Sequence, residues 1–246
     1  MTETLKLCLK PQNTASHFVS YLYLMNTSNI STTPFELSHK AFIGGYTKKT
    51  NIVLHGSLSR TKYSFTAAQN TEAHLMQNWN IMADKYAGHY VIGRDGTIYS
   101  CISEDYWTNH LGSHKKFSEL NKRTISIFLC NELYLEKENS KYYAFGFNKP
   151  HNMYKGKVFE YPFMGYNYWA DYDETQIDSL GLLLKDICDR QKISASFKKA
   201  TAKYSPNSVS SAGILSCSNL NDRSYSLPLP EWVSNKLEAR GLTSVE

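Results

Sequence analysis

The sequence has no CxxC pair, and its five cysteines (Cys8, Cys101, Cys130, Cys188, Cys217) are odd in number. That argues against a secreted disulfide framework and for synthesis in a reducing compartment, with most thiols acting as small buried hydrophobes. Long apolar runs are also missing. The longest near the start, residues 18–25, is short and interrupted by Ser and Tyr. No signal peptide and no bilayer-spanning segment are therefore expected, which implies a protein made in the cytoplasm with no membrane partner. Basic clusters are lacking too: none of the 27 Lys and Arg residues stands in a run longer than a pair. Direct nucleic-acid binding is not expected, although the net charge of +5 suits some anionic partner, such as a cell-wall polymer.

The chain does have length. Its 246 residues suffice for one large domain, or one domain with an extension, and a hydrophobic content of 41% supports an ordinary globular core. Tyrosine is abundant, at 18 residues. Such rings either present surface to partners and sugars or fill a loop-rich core, and composition does not choose between the two.

Residues 1–45 are rich in Ser, Thr and Asn with little periodicity, which predicts an extended N-terminal arm with one strand over 5–9. Gly44 and Gly45 mark the join to a main domain at 46–246. There, 51–55 (NIVLH) reads as a short strand, and 71–86 as a helix with Leu75, Trp79, Met82 and Tyr86 at helical spacing behind a Thr71 cap. Residues 89–92 and 98–102 read as a hairpin, since Asp95-Gly96 supplies the positive φ angles a tight turn needs. The run 124–130 (TISIFLC), β-branched and nearly all apolar, predicts a buried central strand. A long aromatic insert follows at 132–172. The next predicted element is a helix over 173–190, with Asp173 as its cap, Gln176 as the capping-box partner and Ile177, Leu180, Leu184 and Ile187 on one face. Residues 213–217 read as a last strand, and a short helix is expected after Pro230. The alternation predicts an α/β fold with a mixed central β-sheet flanked by helices.

Four segments in order resemble the type-2 N-acetylmuramoyl-L-alanine amidases and the peptidoglycan-recognition proteins that share their fold. They are 52–57 (IVLHGS), 89–99 (HYVIGRDGTIY), Trp107 through His110-Leu111-Gly112 with Asn121 and 124–127 (TISI) following, and 213–218 (GILSCS) with Pro228 downstream. Together they span about residues 50–235. The resemblance implies a zinc ion held by two histidines and a carboxylate or thiolate, with a water in the open position. It further implies hydrolysis of the bond between the sugar lactyl group and L-alanine of wall peptide.

The same resemblance assigns residues one by one. His55 stands at the first ligand, Cys217 at the second histidine, and Leu227 at the third ligand. Phe128 occupies the position of the usual catalytic Glu, Gly88 that of the usual Tyr, and Tyr225 that of the usual Lys. Leucine has no lone pair to give, and an apolar ring cannot stabilise developing charge. His55 is therefore either a zinc ligand or a relic holding hydrogen bonds, and Cys217 either a ligand or a buried thiol. Asp222 and His114 are the available substitutes. Tyr90, Trp107 and His110 are candidates to line a groove, or else members of the core. The expected reading is a catalytically degraded amidase-like domain that binds no cofactor, or zinc where the site works. Such domains recur in bacteriophages, which suggests a virion component engaging other assembly proteins through the arm and the insert. An active zinc amidase and a metal-free peptidoglycan-binding protein are the alternatives.

Overall fold

The computed structural model describes residues 30–34, 45–57, 88–112, 117–144, 153–198, 213–220 and 227–245. The predicted strand at 5–9, the predicted helix at 71–86, His114, Asp222 and Tyr225 lie outside the described residues.

Thirteen strands and three helices follow one another among these residues. The strands are β1 (Thr33–Pro34), β2 (Asn51–Gly56), β3 (Tyr90–Ile92), β4 (Ile98–Ser100), β5 (Thr124–Leu129), β6 (Tyr134–Glu138), β7 (Lys141–Ala144), β8 (Met153–Tyr154), β9 (Val158–Phe163), β10 (Tyr166–Ala170), β11 (Ser196–Lys198), β12 (Ile214–Ser216) and β13 (Thr243–Val245). The helices are α1 (Ser118–Arg123), α2 (Glu174–Gln191) and α3 (Glu231–Ala239). Eight strands form one sheet in the order β1-β4-β3-β5-β2-β12-β11-β13. Only β3 and β4 pair antiparallel within it. The sheet is thus mixed and flanked by helices, as the sequence predicts.

Its two central strands are buried at every residue, which explains why 51–56 and 124–129 read as continuous rather than alternating runs. One face carries Ile52, Leu54, Ile92, Ile125 and Ile127 against Ile177, Leu180, Leu184 and Ile187 of α2 and Val233 and Leu237 of α3. Each such fully buried side chain contributes about 1.5–3 kcal/mol. The opposite face carries Val53, His55, Ser126, Phe128 and Val91, and it holds the candidate site.

Four expectations are corrected. The hairpin after β3 has left-handed backbone only at Gly96 (φ +86), and Asp95 instead accepts from the Thr97 amide and hydroxyl at 2.9 and 2.8 Å. Gly96 N–H donates to Gly93 O and Gly93 N–H to Thr97 O, giving a three-residue loop rather than a two-residue turn. Asp173 sits at the cap of α2 without a side-chain cap bond, because it lies 3.9 Å from the buried Arg94 guanidinium. Gln176 makes no capping box either. Its amide donates to Ile92 O and Cys130 O at 3.0 and 3.1 Å, tying helix to sheet. Nor is β12 the last strand, since β13 adds in parallel to β11 at the sheet edge.

The insert is a folded second sheet, antiparallel throughout, in the order β8-β7-β6-β10-β9. Its residues Tyr134, Phe163 and Trp169 pack into the main core. A small part of the predicted arm also belongs to the main sheet, because Thr33 and Pro34 pair with Tyr99 and Ser100.

Candidate functional site

His55 sits at the carboxyl end of β2, level with Phe128 on β5, which is level in turn with Val91 on β3. Parallel register forces this meeting: three strand ends deliver their side chains to one spot. The His55 ring is 1% exposed and stacks on Phe128, with centroids 4.4 Å apart and planes 12° from parallel. The Phe128 ring also reaches Gly88, where an added Cβ would stand 2.6 Å from the ring. Phe128 therefore fills the space between His55 and Gly88.

His55 Nε2 lies 2.9 Å from His110 Nδ1, and His110 Nε2 lies 2.7 Å from Thr124 Oγ1. The Thr124 hydroxyl donates to Leu120 O at 2.6 Å, at the end of α1. Alongside runs a second buried chain. The Ser126 amide donates to His89 Nδ1 at 3.0 Å, and His89 Nε2 lies 3.0 Å from Tyr106 O. Lys49 Nζ donates to the same Tyr106 O, to Lys122 O and to Thr47 Oγ1. Burial disfavours each charged form. It lowers His55 to about 3, His89 to about 4 with a further push from Lys49, and His110 well below its usual value. It lowers Lys49 to about 8 against the opposing pull of Asp105 and Glu104.

Cys217 follows β12 and opens a short 3-10 turn (Cys217–Asn219), fixed where the Ser216 amide donates to Asn219 Oδ1 at 2.8 Å. It is 5% exposed and packs with Val53, Leu111, Phe117, Leu215 and Leu220. Burial pushes its thiol up to about 12, far from the thiolate that binds metal. Leu227 is fully buried in the main core.

Tyr90 does not line a groove. It faces the helix side of the sheet, 1% exposed, and its hydroxyl donates to Glu104 Oε1 at 2.7 Å. Glu104 is held besides by Arg190 and Gln191. The period of two places Tyr90 opposite to His89, which the hairpin motif alone did not reveal. His110 is buried as well, in contact with His55 rather than with a groove. Trp107 is half-buried. Sequence reasoning missed Lys49, Thr124 and Glu104. Their partners lie 14 to 87 residues away in the chain except for the contacts with Thr47 and Leu120, so no local spacing could have marked them.

Residues 46–209 match the family model of N-acetylmuramoyl-L-alanine amidase. The chain belongs to this amidase family. No curated relative matches it in sequence. Among solved structures it is similar to the N-acetylmuramoyl-L-alanine amidase LysC from Clostridium intestinale URNW, at 16% identity over 85% of this chain and 99% of that one, with a TM-score of 0.41. It is similar to the amidase AmiD from E. coli at 16% identity over 81% of this chain and 60% of that one, with a TM-score of 0.48. The Ph2119 endolysin from Thermus scotoductus MAT2119 bacteriophage matches at 12% identity over 83% and 98%, with a TM-score of 0.43.

Amidases of this family are typically zinc-dependent. A catalytic zinc takes three protein ligands, and each must offer a lone pair. Among the described residues, no group of three His, Cys, Asp or Glu side chains could hold a metal ion. His55 and Cys217 are the donors that the resemblance proposes, and Leu227, which the resemblance sets at the third position, is buried in the apolar core.

Proposed function

We propose that this amidase-family domain no longer cleaves wall peptide and serves as a structural or binding module. The carrying observation is the Phe128 ring, wedged between His55 and Gly88 where the resemblance places the acid-base residues. An apolar ring there offers nothing to a developing oxyanion or a moving proton. The hydrogen-bonded core position of His55 and the apolar packing of Cys217 support the same reading.

Elemental analysis of the purified, tag-free protein beside a His55→Ala variant is the test, coupled to an assay of peptide-stem release from muropeptides. Neither zinc nor release is expected. One zinc per chain, absent from the variant, with release abolished by chelator, would overturn the proposal. An active zinc amidase would then stand, with its third ligand drawn from segments such as those of Asp222 or His114. One observation favours that second reading: Val53, two residues before His55, packs in one cluster with Cys217. For the module reading, the proposed partners are other assembly proteins of a phage particle, met through the arm and the insert. The exposed strand residues Glu136, Lys137 and Glu138 and the half-exposed ring of Tyr161 support the insert as the contacting part. Retention on isolated sacculi would instead identify a peptidoglycan-binding protein.

A further inference from the structure

The two faces of the insert sheet carry different residues. By the period of two, Tyr134 and Trp169 point to the main core, while Leu135, Ala144, Tyr154 and Ala170 form a small cluster on the other face. Tyr142 and Tyr168 border that cluster, half-buried, and Lys137 stands beside them, exposed. Strand register brings the three together. Lys137 on β6 pairs with Tyr142 on β7, and Tyr168 on β10 pairs with Leu135, two residues before Lys137. The two tyrosine rings lie 5.3 Å apart with planes at 60°. The Lys137 ammonium lies 5.0 Å from the centre of the Tyr168 ring and 5.7 Å from that of Tyr142. Both hydroxyls are within reach of the amine, and the Tyr142 and Tyr168 phenols hold it above its ordinary value. An ammonium only donates, so toward it each phenol oxygen can only accept. Each hydroxyl proton is then turned away from the amine. One ammonium and two hydroxyls thus offer donors at one spot on a partly open face.

We propose that Lys137, Tyr142 and Tyr168 form a carboxylate-binding site on the outer face of the insert, and that it takes an acidic side chain of a partner protein. Charge sets the ligand class. The site holds one positive charge, and the exposed Glu160, cross-strand from Tyr168, adds a negative charge at its rim. A single carboxylate balances the ammonium, whereas a phosphate dianion would leave negative charge in excess. The two rings give the apolar stem of an aspartate or glutamate a surface beside the charge. The net charge of +5 favours the approach of an acidic segment. The proposal rests on reading the insert as the part that meets other proteins, but not on the loss of catalysis. Zinc content and peptide release test the latter and report nothing on this face, so the two readings fail separately.

The test is an NMR titration of the full chain labelled with 13C at the hydroxyl-bearing carbon of tyrosine, with signals assigned by Tyr142→Phe and Tyr168→Phe variants. Sodium acetate, an N-acetylated hexaglutamate peptide and inorganic phosphate are the probes, each at constant ionic strength against sodium chloride. Acetate and hexaglutamate are expected to shift the Tyr142 and Tyr168 signals to saturation, with hexaglutamate the tighter per carboxylate. Lys137→Met alters an exposed side chain and should weaken binding about tenfold, the loss of one charge-assisted hydrogen bond. Shifts that match those in chloride, or that persist unchanged in Lys137→Met, would overturn the site. Tighter binding of phosphate than of either carboxylate probe would overturn the ligand class. Hexaglutamate no tighter than acetate would overturn the protein partner.

Discussion

Three histidines lie side by side in the core with no carboxylate bonded to their rings among the described residues, and that has a thermodynamic consequence. His55 and His89 titrate near 3 and 4, below the ordinary 6.5, and His110 is also lowered. The unfolded chain therefore binds more protons than the folded one below about pH 6.5, and stability falls with acid through that window. The contribution is fully present above the unfolded value and is lost as pH drops toward the folded values. Each histidine should cost about 1 kcal/mol between roughly pH 7.5 and 5.5. Urea denaturation at the two pH values checks this; an unchanged midpoint would show that the rings are charged in the fold. Gly88 and Phe128 make a second prediction at this scale. Gly88→Ala puts a methyl 2.6 Å from the ring and should destabilise by about 1–3 kcal/mol. In a Phe128→Ala background that penalty should largely disappear, and a double-mutant cycle of unfolding free energies measures the coupling. The identities of these residues were legible in the sequence, as departures from a family pattern. Their mutual contact was not, because Gly88 and Phe128 meet only through the pairing of β3 with β5.

Helix α2 is bound to the sheet by polar contacts as well as by its apolar face. The hairpin loop presses on it: an added Cβ at Gly96 would lie 2.8 Å from Thr175 O, and the backbone there is left-handed. Gly96→Ala should cost about 1–3 kcal/mol, read as a lowered urea midpoint with an unchanged slope. Arg94, from the same loop, is buried with Glu132 at 2.7 Å. Arg94→Met removes the guanidinium from a buried carboxylate and should cost about 3–5 kcal/mol, with Glu132→Gln in the same chain recovering part of it. Thermal melting of the two variants checks the order. At this scale the apolar spacing of α2 was legible, since Ile177, Leu180, Leu184 and Ile187 do line the core face. The roles of Asp173 and Gln176 were misread as local capping. A short polar side chain at a helix start satisfies whichever partner lies nearer, and here buried groups of the loop and of the strand ends lie nearer.

For the molecule as a whole, the insert is the instructive part. The sequence analysis expected it to engage partner proteins, and its strands also bring Tyr134, Phe163 and Trp169 into the same core that α2 and α3 close. Tyr134 stacks on Tyr166 at 3.8 Å, and the Trp169 indole donates to Tyr161 O at 2.8 Å. Replacing 134–170 by a short turn should therefore weaken the entire domain. The expected outcome is a lowered melting temperature and lost cooperativity by calorimetry. A shortened chain that melts like the parent would show the insert to be an independent unit.

The sequence by itself determined the class of sheet, the central strands, the helix after the insert and the family, because these depend on hydrophobic periodicity and on motifs contained in short segments. Through the family resemblance it also led to the expectation of a leucine and a phenylalanine at two chemically demanding positions. Only the tertiary structure decided what became of the site: that His55 stacks on Phe128, that His110 and Thr124 hold it, and that Cys217 lies among apolar side chains. The reason is geometric. Side chains such as His110 and Thr124, 14 residues apart, or Val53 and Cys217, 164 apart, meet through strand register and chain crossings, and such a contact leaves no trace in local composition.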